Sequence, residues 1–447
     1  MDPGGRYQWR SPQALTATIS CAFMIGCGRW GAHLGVPPIY LGDLLLAVAV
    51  AHATISWALA GTRPASDISR RRYPALAVAA LGGWALLRFL LGANHGLDAL
   101  RDLAPYAYAA VAFLTATAYA HSSAANRART LKLLEVALIG HLLWMLPARI
   151  AYDQQPVGPG LHLFLPRADV DGAVLGVTAC LFLLRYLHRG GLVRLLVAVV
   201  SLGLTLSLSS RASALAAFAG LLLTLWCYFL GSRQTLQTNP RRRVAVAGLV
   251  PFVVISLALA IPETAAGSKL LASIGAVQAD SARELGGLGT ARARRATWRR
   301  VVDYTTDTPS RLTVGVGFGP NFMLDSGASI ALLNDDDPTL RSPHNFFLGT
   351  FARLGLVGLF LLGLVILGML GGIWRVRRFA AADELVLLAV IVPPIMLVVA
   401  AFGVVLEAPF GAIPFFWFLG VLLAKPQPPV PEKPAEEQPE LLAVSAR

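Results

Sequence analysis

Charge is what this chain has least of. Only 14% of its 447 residues are Asp, Glu, Lys or Arg, against 55% hydrophobic residues, and the mean hydropathy is +0.61. No soluble core of this length hides that much apolar surface, which excludes an ordinary soluble domain and points to a polytopic membrane protein. Acidic residues are scarcest, 25 against 38 Lys and Arg, for a formal net charge of +13. Membrane proteins carry such an excess in cytoplasmic loops, so the charge alone does not call for nucleic acid. The four cysteines, Cys21, Cys27, Cys180 and Cys227, fall inside apolar runs without metal-ligand spacing, which argues against a disulfide framework and a zinc site. No Walker, Rossmann or haem motif and no Ser/His/Asp triad stands out. Gly315–Gly319 lacks the lysine and the preceding strand of a phosphate loop.

Long hydrophobic runs are abundant. Those able to cross about 30 Å of hydrocarbon fall at 12–29, 38–60, 73–92, 104–121, 131–149, 171–188, 192–210, 212–231, 244–262, 345–371, 384–402 and 409–424. The expected fold is therefore all-α, with about twelve transmembrane helices. Arg6 and Arg10 ahead of Ala14–Gly28 resemble a secretory signal, but without a good small-residue cleavage site the segment reads as an uncleaved first span. Every second loop is basic: Arg63 with Arg70–Arg72; Arg127, Arg129 and Lys132; Arg189 and Arg194; Arg233 with Arg241–Arg243; Arg375, Arg377 and Arg378. The positive-inside rule puts these loops and both termini in the cytoplasm. The chain then divides into spans over 1–262, one large external loop domain over 263–343, further spans over 344–424 and a Pro- and Glu-rich disordered tail over 425–447.

Within the external loop, Leu270, Leu271, Ile274 and Val277 recur at helical spacing, and Ala291 to Tyr304 reads as an arginine-dense helix. Gly315–Gly319 should end any helix there. At the re-entry Arg341-Ser342-Pro343-His344-Asn345, Ser342 suits an N-cap and Pro343 the first helical position, which sets His344 and Asn345 in the first turn of the next span. A helix N-terminus disfavours imidazolium, so His344 is expected neutral and able to accept a proton.

Six arginines stand where the positive-inside rule does not want them: Arg29, Arg88, Arg101, Arg149, Arg167 and Arg211, all at external helix ends or short external loops. Each alone could snorkel or pair with Asp98, Asp102, Asp153, Asp169 or Asp171. As a set they read as an anion site, because guanidinium forks match phosphate oxygens. Arg211 lies in the tight turn Ser209-Ser210-Arg211-Ala212-Ser213. In the loop, Arg292, Arg294, Arg295, Arg299 and Arg300 surround Trp298, and one helix face cannot point all of them inward; the choice between Arg294 and Arg295 stays open here. Asn334-Asp335-Asp336-Asp337 reads as a solvated acidic run rather than a metal site.

These residues resemble the O-antigen ligase and O-antigen polymerase superfamily: His344-Asn345 followed by Leu348, Gly355 and Gly358, with Ser210-Arg211-Ala212, an arginine upstream of Trp298 and Gly315-Val316-Gly317-Phe318-Gly319. The resemblance implies a bacterial inner-membrane C-type glycosyltransferase (GT-C) working on its periplasmic face. It implies transfer of a glycan from undecaprenyl pyrophosphate to an acceptor sugar hydroxyl, with inversion and with neither metal nor cofactor. His344 would be the general base, Arg211 and Arg294 would hold the pyrophosphate, and Arg88, Arg101, Arg167, Arg295, Asn345 and Trp298 would contribute to substrate binding. The expected partners are the lipid-linked glycan, a lipid A core or other glycan acceptor and membrane lipids, with no nucleic acid. The acceptor could be lipid A core oligosaccharide, as in a ligase, or another lipid-linked repeat, as in a polymerase; one dominant external loop favours the ligase. Arg353 departs from the superfamily, which often has an acidic residue there. A secondary transporter would share the helix count, and a lipid-linked glycan flippase would share the arginines but not need His344.

Overall fold

The computed structural model describes residues 12–32, 34–36, 39–60, 73–92, 96–120, 122–150, 166–208, 210–232, 282–333 and 339–424. The described chain is helical apart from a hairpin pairing Gly35–Val36 with Ile39–Tyr40. The apolar runs become α1 (Pro12–Ala32), α2 (Leu41–Ala60), α3 (Tyr73–Leu90), α4 (Leu97–Ala107), α5 (Ala109–Ala120), α6 (Ala124–Ile150), α7 (Ala168–Arg189), α8 (Leu192–Ser207) and α9 (Arg211–Ser232). The loop supplies α10 (Ala282–Thr306), α11 (Pro309–Val314), α12 (Phe322–Asp325) and α13 (Ala328–Leu333), and the bundle is completed by α14 (Phe346–Val376), α15 (Glu384–Ala400) and α16 (Pro409–Leu423). Among the described residues, six segments are long and apolar enough to cross a membrane: Tyr73–Leu90, Leu97–Ala120, Ala124–Ile150, Ala168–Arg189, Arg211–Gly231 and Phe346–Val376. The expected span at 244–262, the helical pattern around Leu270–Val277, the basic groups at Arg70–Arg72 and Arg241–Arg243, the acidic run Asp335–Asp337 and the tail lie outside the described residues.

Helices α15 and α16 are apolar on every side and pack inside the bundle, burying Trp417, Phe415 and Phe418. Helix α14 instead turns Phe360, Leu367, Leu370 and Trp374 outward, as a lipid-facing span does. Small residues set the closest approach. A Cβ on Gly172 or Gly176 would come within 2.6 Å of the Ser213 Cβ or 2.9 Å of the Ala217 Cβ, so α7 and α9 meet nearly backbone to backbone. This contact brings Arg211, the first residue of α9, beside the start of α7.

The apolar run at 345–371 is not one uninterrupted helix. It breaks at Gly355, whose φ of +65° is open to glycine and strained for other residues. The freed carbonyls of Ala352 and Arg353 accept the backbone N–H groups of Val316 (2.8 Å) and Gly317 (2.9 Å). A Cβ on Gly315 would lie 2.3 Å from the Arg353 backbone, and one on Gly355 2.3 Å from the Thr313 carbonyl oxygen. The glycine-rich loop therefore repairs the broken helix, which is how irregular backbone survives at membrane depth. Arg88 donates from Nη2 to the Gly315 carbonyl (3.1 Å), and Trp84 donates to that of Leu354 (3.3 Å). A small apolar cluster of Val301, Phe322, Met323, Ala328 and Ala352 docks the loop helices on the first turns of α14.

The basic residues Arg127, Arg129, Lys132, Arg189, Arg194, Arg375 and Arg377 stand at the opposite helix ends from Arg29, Arg101, Arg167, Arg211 and His344. At that far end Arg185 is held between Glu135 (2.8 Å) and Glu384 (2.7 Å).

Candidate functional site

The start of α14 differs from the expected one. Asn345, not Ser342, is the N-cap: its side-chain oxygen accepts the Leu348 N–H at 3.0 Å, and the helix begins at Phe346. Asparagine and serine cap equally well, and the favoured place of proline at the first helical position misassigned the start. His344 thus lies outside the helix, with φ +52°, the one non-glycine residue at positive φ among those described. A left-handed conformation costs a histidine roughly 1–2 kcal/mol, and its surroundings hold it there. Ser342 Oγ accepts the His344 backbone N–H at 3.1 Å, and Trp298 Nε1 donates to the Pro343 carbonyl at 2.9 Å. Ser342 Oγ in turn donates to Glu407 Oε1 at 2.8 Å.

His344 is half-buried, and its pKa is pushed down to about 4 by burial first, then by Arg294 and Arg167, with Asp169 opposing. The expectation of a neutral imidazole rested on a helix N-terminus; here burial and two neighbouring guanidiniums lower the pKa instead. Arg294 is half-buried too; burial and then Arg211 lower its pKa, and its buried Nε has no hydrogen-bond partner. Arg295, one position on along α10, is exposed. Helix phase therefore separates the two: Arg294 joins the cluster and Arg295 does not. Arg167, just before α7, pairs with Asp169 at 2.8 Å. Arg294, Arg211 and Arg167 consequently form one cationic cluster around the His344 imidazole, with Asp169 as its nearby counter-charge.

Beside this cluster lies a cavity of about 290 Å³ whose lining includes Arg29, Arg101, Arg167, Arg341 and Arg353. Two residues that sequence reasoning did not single out organise it. Asp102, expected only as a possible partner for a nearby arginine, receives Arg341 (2.6 Å) and the buried Arg353 (2.5 Å) on one carboxylate oxygen and also accepts the Gly319 N–H at 3.2 Å. Glu407, in the turn between α15 and α16, has its carboxyl pushed up to about 7 by burial, against Ser342 and Arg353, which lower it. Neither carried a local sequence signal; their partners lie 65 to 251 residues away.

The other expected site residues fall as follows. Arg101 is exposed at the cavity rim, and Arg88 is spent on the Gly315 carbonyl, so it supports the loop rather than joining the cluster. Asn345 caps α14 and Trp298 pins the peptide ahead of His344; both position the site. Arg149 ends α6 and is exposed. Among the described residues no group of three or more His, Cys, Asp or Glu stands together as a metal site would require.

Residues 195–363 match the family model described as O-antigen ligase, a stretch that contains Arg211, Arg294, Trp298, the glycine loop and His344. The match supports a place in the O-antigen ligase and polymerase superfamily. Members of that family are glycosyltransferase-like enzymes, and the match supports a ligase- or polymerase-type function in a membrane protein. Arg29, Arg101, Asp102, Arg167 and Glu407 lie outside the matched stretch. A comparison with curated proteins finds no match.

Proposed function

We propose that this superfamily member transfers a glycan from undecaprenyl pyrophosphate to an acceptor sugar hydroxyl, on the external face of a bacterial plasma membrane. The observation that carries the reading is a neutral imidazole, fixed at positive φ, beside an arginine whose buried Nε lacks a partner. In the transfer, His344 accepts the proton of the acceptor hydroxyl and the hydroxyl oxygen bonds to the anomeric carbon. The bond from that carbon to the pyrophosphate oxygen breaks, and the electron pair leaves with undecaprenyl pyrophosphate. Arg211, Arg294 and Arg167 stabilise the departing charge in a site shielded from water. The anomeric carbon inverts in this single displacement, which needs neither metal nor cofactor. Lipid A core oligosaccharide as acceptor makes the enzyme a ligase; the same steps with a second lipid-linked repeat would make it a polymerase. Segregation of the basic helix ends to the pole opposite His344 supports the external placement.

The test is the release of undecaprenyl pyrophosphate from a lipid-linked glycan by purified protein, dependent on added acceptor. Acceptor-dependent release that His344→Ala reduces by two or more orders of magnitude is expected, the usual weight of a general base. Release at the wild-type rate in that variant overturns the assignment, and no release from the wild type overturns the reaction.

A further inference from the structure

The cavity beside the histidine cluster is more than room left over by packing. Five arginines line it with only Asp102 and Glu407 as carboxyl groups in its wall, and Asp98, Asp169 and Asp171 stand nearby as further counter-charges to Arg341, Arg167 and Arg29. The aromatic rings of Tyr106, Phe322, Phe346 and Phe410 complete its walls. Flat apolar rings accept the C–H face of a pyranose, whereas guanidinium forks accept carboxylate or phosphate oxygens. A wall that alternates the two suits a charged sugar. At about 290 Å³ the space is near the lower end of the range for ligand pockets, roughly 300–1,000 Å³, which fits one or two rings rather than a long chain.

The cavity shares Arg167 with the place of the leaving pyrophosphate, and two further observations distinguish the rest of it. Arg29, Arg101, Arg167 and Glu407 come from outside the stretch that matches the family, while Arg211, Arg294 and His344 lie within it. Arg341 and Arg353 of the cavity wall also lie within the matched stretch, so the cavity joins residues from inside and outside it. Ser342 lies between them, bonded to the His344 backbone on one side and to Glu407 on the other. A sugar in the cavity would therefore lie against the serine that holds the His344 backbone.

We propose that this cavity is the acceptor subsite and that it selects an acceptor sugar carrying an anionic group, a carboxylate or a phosphate ester. The inference rests on the transfer reaction proposed above.

Glucuronic acid, glucose 1-phosphate and glucose serve as probes with the purified full chain in detergent. Direct binding is measured by calorimetry, and inhibition of undecaprenyl pyrophosphate release is measured against varied acceptor and varied donor. Both charged sugars are expected to bind at least tenfold more tightly than glucose and to compete with the acceptor, not with the donor. Their relative strength tells carboxylate from phosphate. Arg101→Glu, at an exposed position that does not threaten the fold, should lower the affinity for the charged sugars at least tenfold, while Arg101→Lys keeps most of it. Equal binding of glucose and the charged sugars, competition with the donor, or unchanged affinity in Arg101→Glu would overturn the proposal. Binding of the charged sugars without any release of undecaprenyl pyrophosphate would refute the reaction while leaving the anion subsite in place.

Discussion

The indole N–H of Trp298 donates to the carbonyl of Pro343 at 2.9 Å, tying the arginine-bearing helix α10 to the peptide that aims His344. Arg294, one helical turn before Trp298, is placed by the same helix. That hydrogen bond thus acts with Ser342 and the apolar cluster around Val301 in setting the spacing between the imidazole and its cationic neighbour.

Trp298→Phe keeps a ring of similar shape and removes that bond. Small displacements of a positioned group cost up to about 100-fold in rate, and the expected result is a fall in kcat of about tenfold or more with acceptor and donor KM little changed. Circular dichroism and monodispersity should match the wild type. An unchanged kcat would mean that Ser342 and the left-handed turn hold His344 unaided.

The proposed clamp on the leaving group can be tested by distinguishing a fork from a point charge. Lysine at position 211 or 294 keeps the charge and loses paired hydrogen bonding. Arg294→Lys should reduce transfer by at least tenfold, more than Arg295→Lys, because Arg294 is half-buried next to His344 and Arg295 is exposed. Equal effects at the two positions, measured as kcat/KM for the donor, would remove Arg294 from the clamp.

How much of this was legible in the sequence follows from how far each interaction reaches along the chain. Arg211 and His344 could be picked out because each stands in a short motif at the edge of an apolar run, and Trp298 marked the helix that carries Arg294. The choice between Arg294 and Arg295 needed the phase of α10 against the rest of the molecule, which sequence spacing alone does not supply. The start of α14 was misplaced by three residues because Ser342, Pro343 and Asn345 all favour a helix N-terminus, and the left-handed turn at His344 has no local signature. The break at Gly355 was hidden in an unbroken apolar run, although its partner glycines at 315–319 were noticed. Asp102 and Glu407 were passed over for their role because only tertiary contact brings them to Arg353 and Ser342.

The two titrating groups at the site give opposite pH signatures. His344 has its folded pKa lowered to about 4 from 6.5, so between those values the unfolded chain binds the extra proton and stability falls as pH drops from 6.5 to 4. Glu407 has its folded pKa raised to about 7 from 4.5, so the folded protein holds the proton longer and stability falls as pH rises from 4.5 to 7. For activity, kcat/KM should show an inflection near pH 7 from Glu407 and none near 6.5 from His344. In Glu407→Gln the profile should be flat from pH 5 to 8. A surviving inflection near 6.5 in that variant would return the imidazole to its ordinary pKa.

Asp102 serves two guanidiniums with one carboxylate, and Arg353, which it neutralises, is only 7% exposed. Removing one partner of a buried ion pair leaves the other as an uncompensated charge, at about 3–5 kcal/mol. Asp102→Asn should therefore lower thermal stability markedly, and it should also loosen Gly319, whose N–H the same carboxylate accepts. Arg353→Met on its own removes a cation that also lies over the Phe322 ring at 5.0 Å, but leaves Asp102 with Arg341 as partner. The double variant Asp102→Asn/Arg353→Met deletes both members of the buried pair, so it should recover a large part of what Asp102→Asn loses. Thermal unfolding of the four proteins in one detergent measures the coupling directly. If the double variant is as unstable as the sum of the single ones, Asp102 acts through Arg341 and the glycine loop rather than through Arg353.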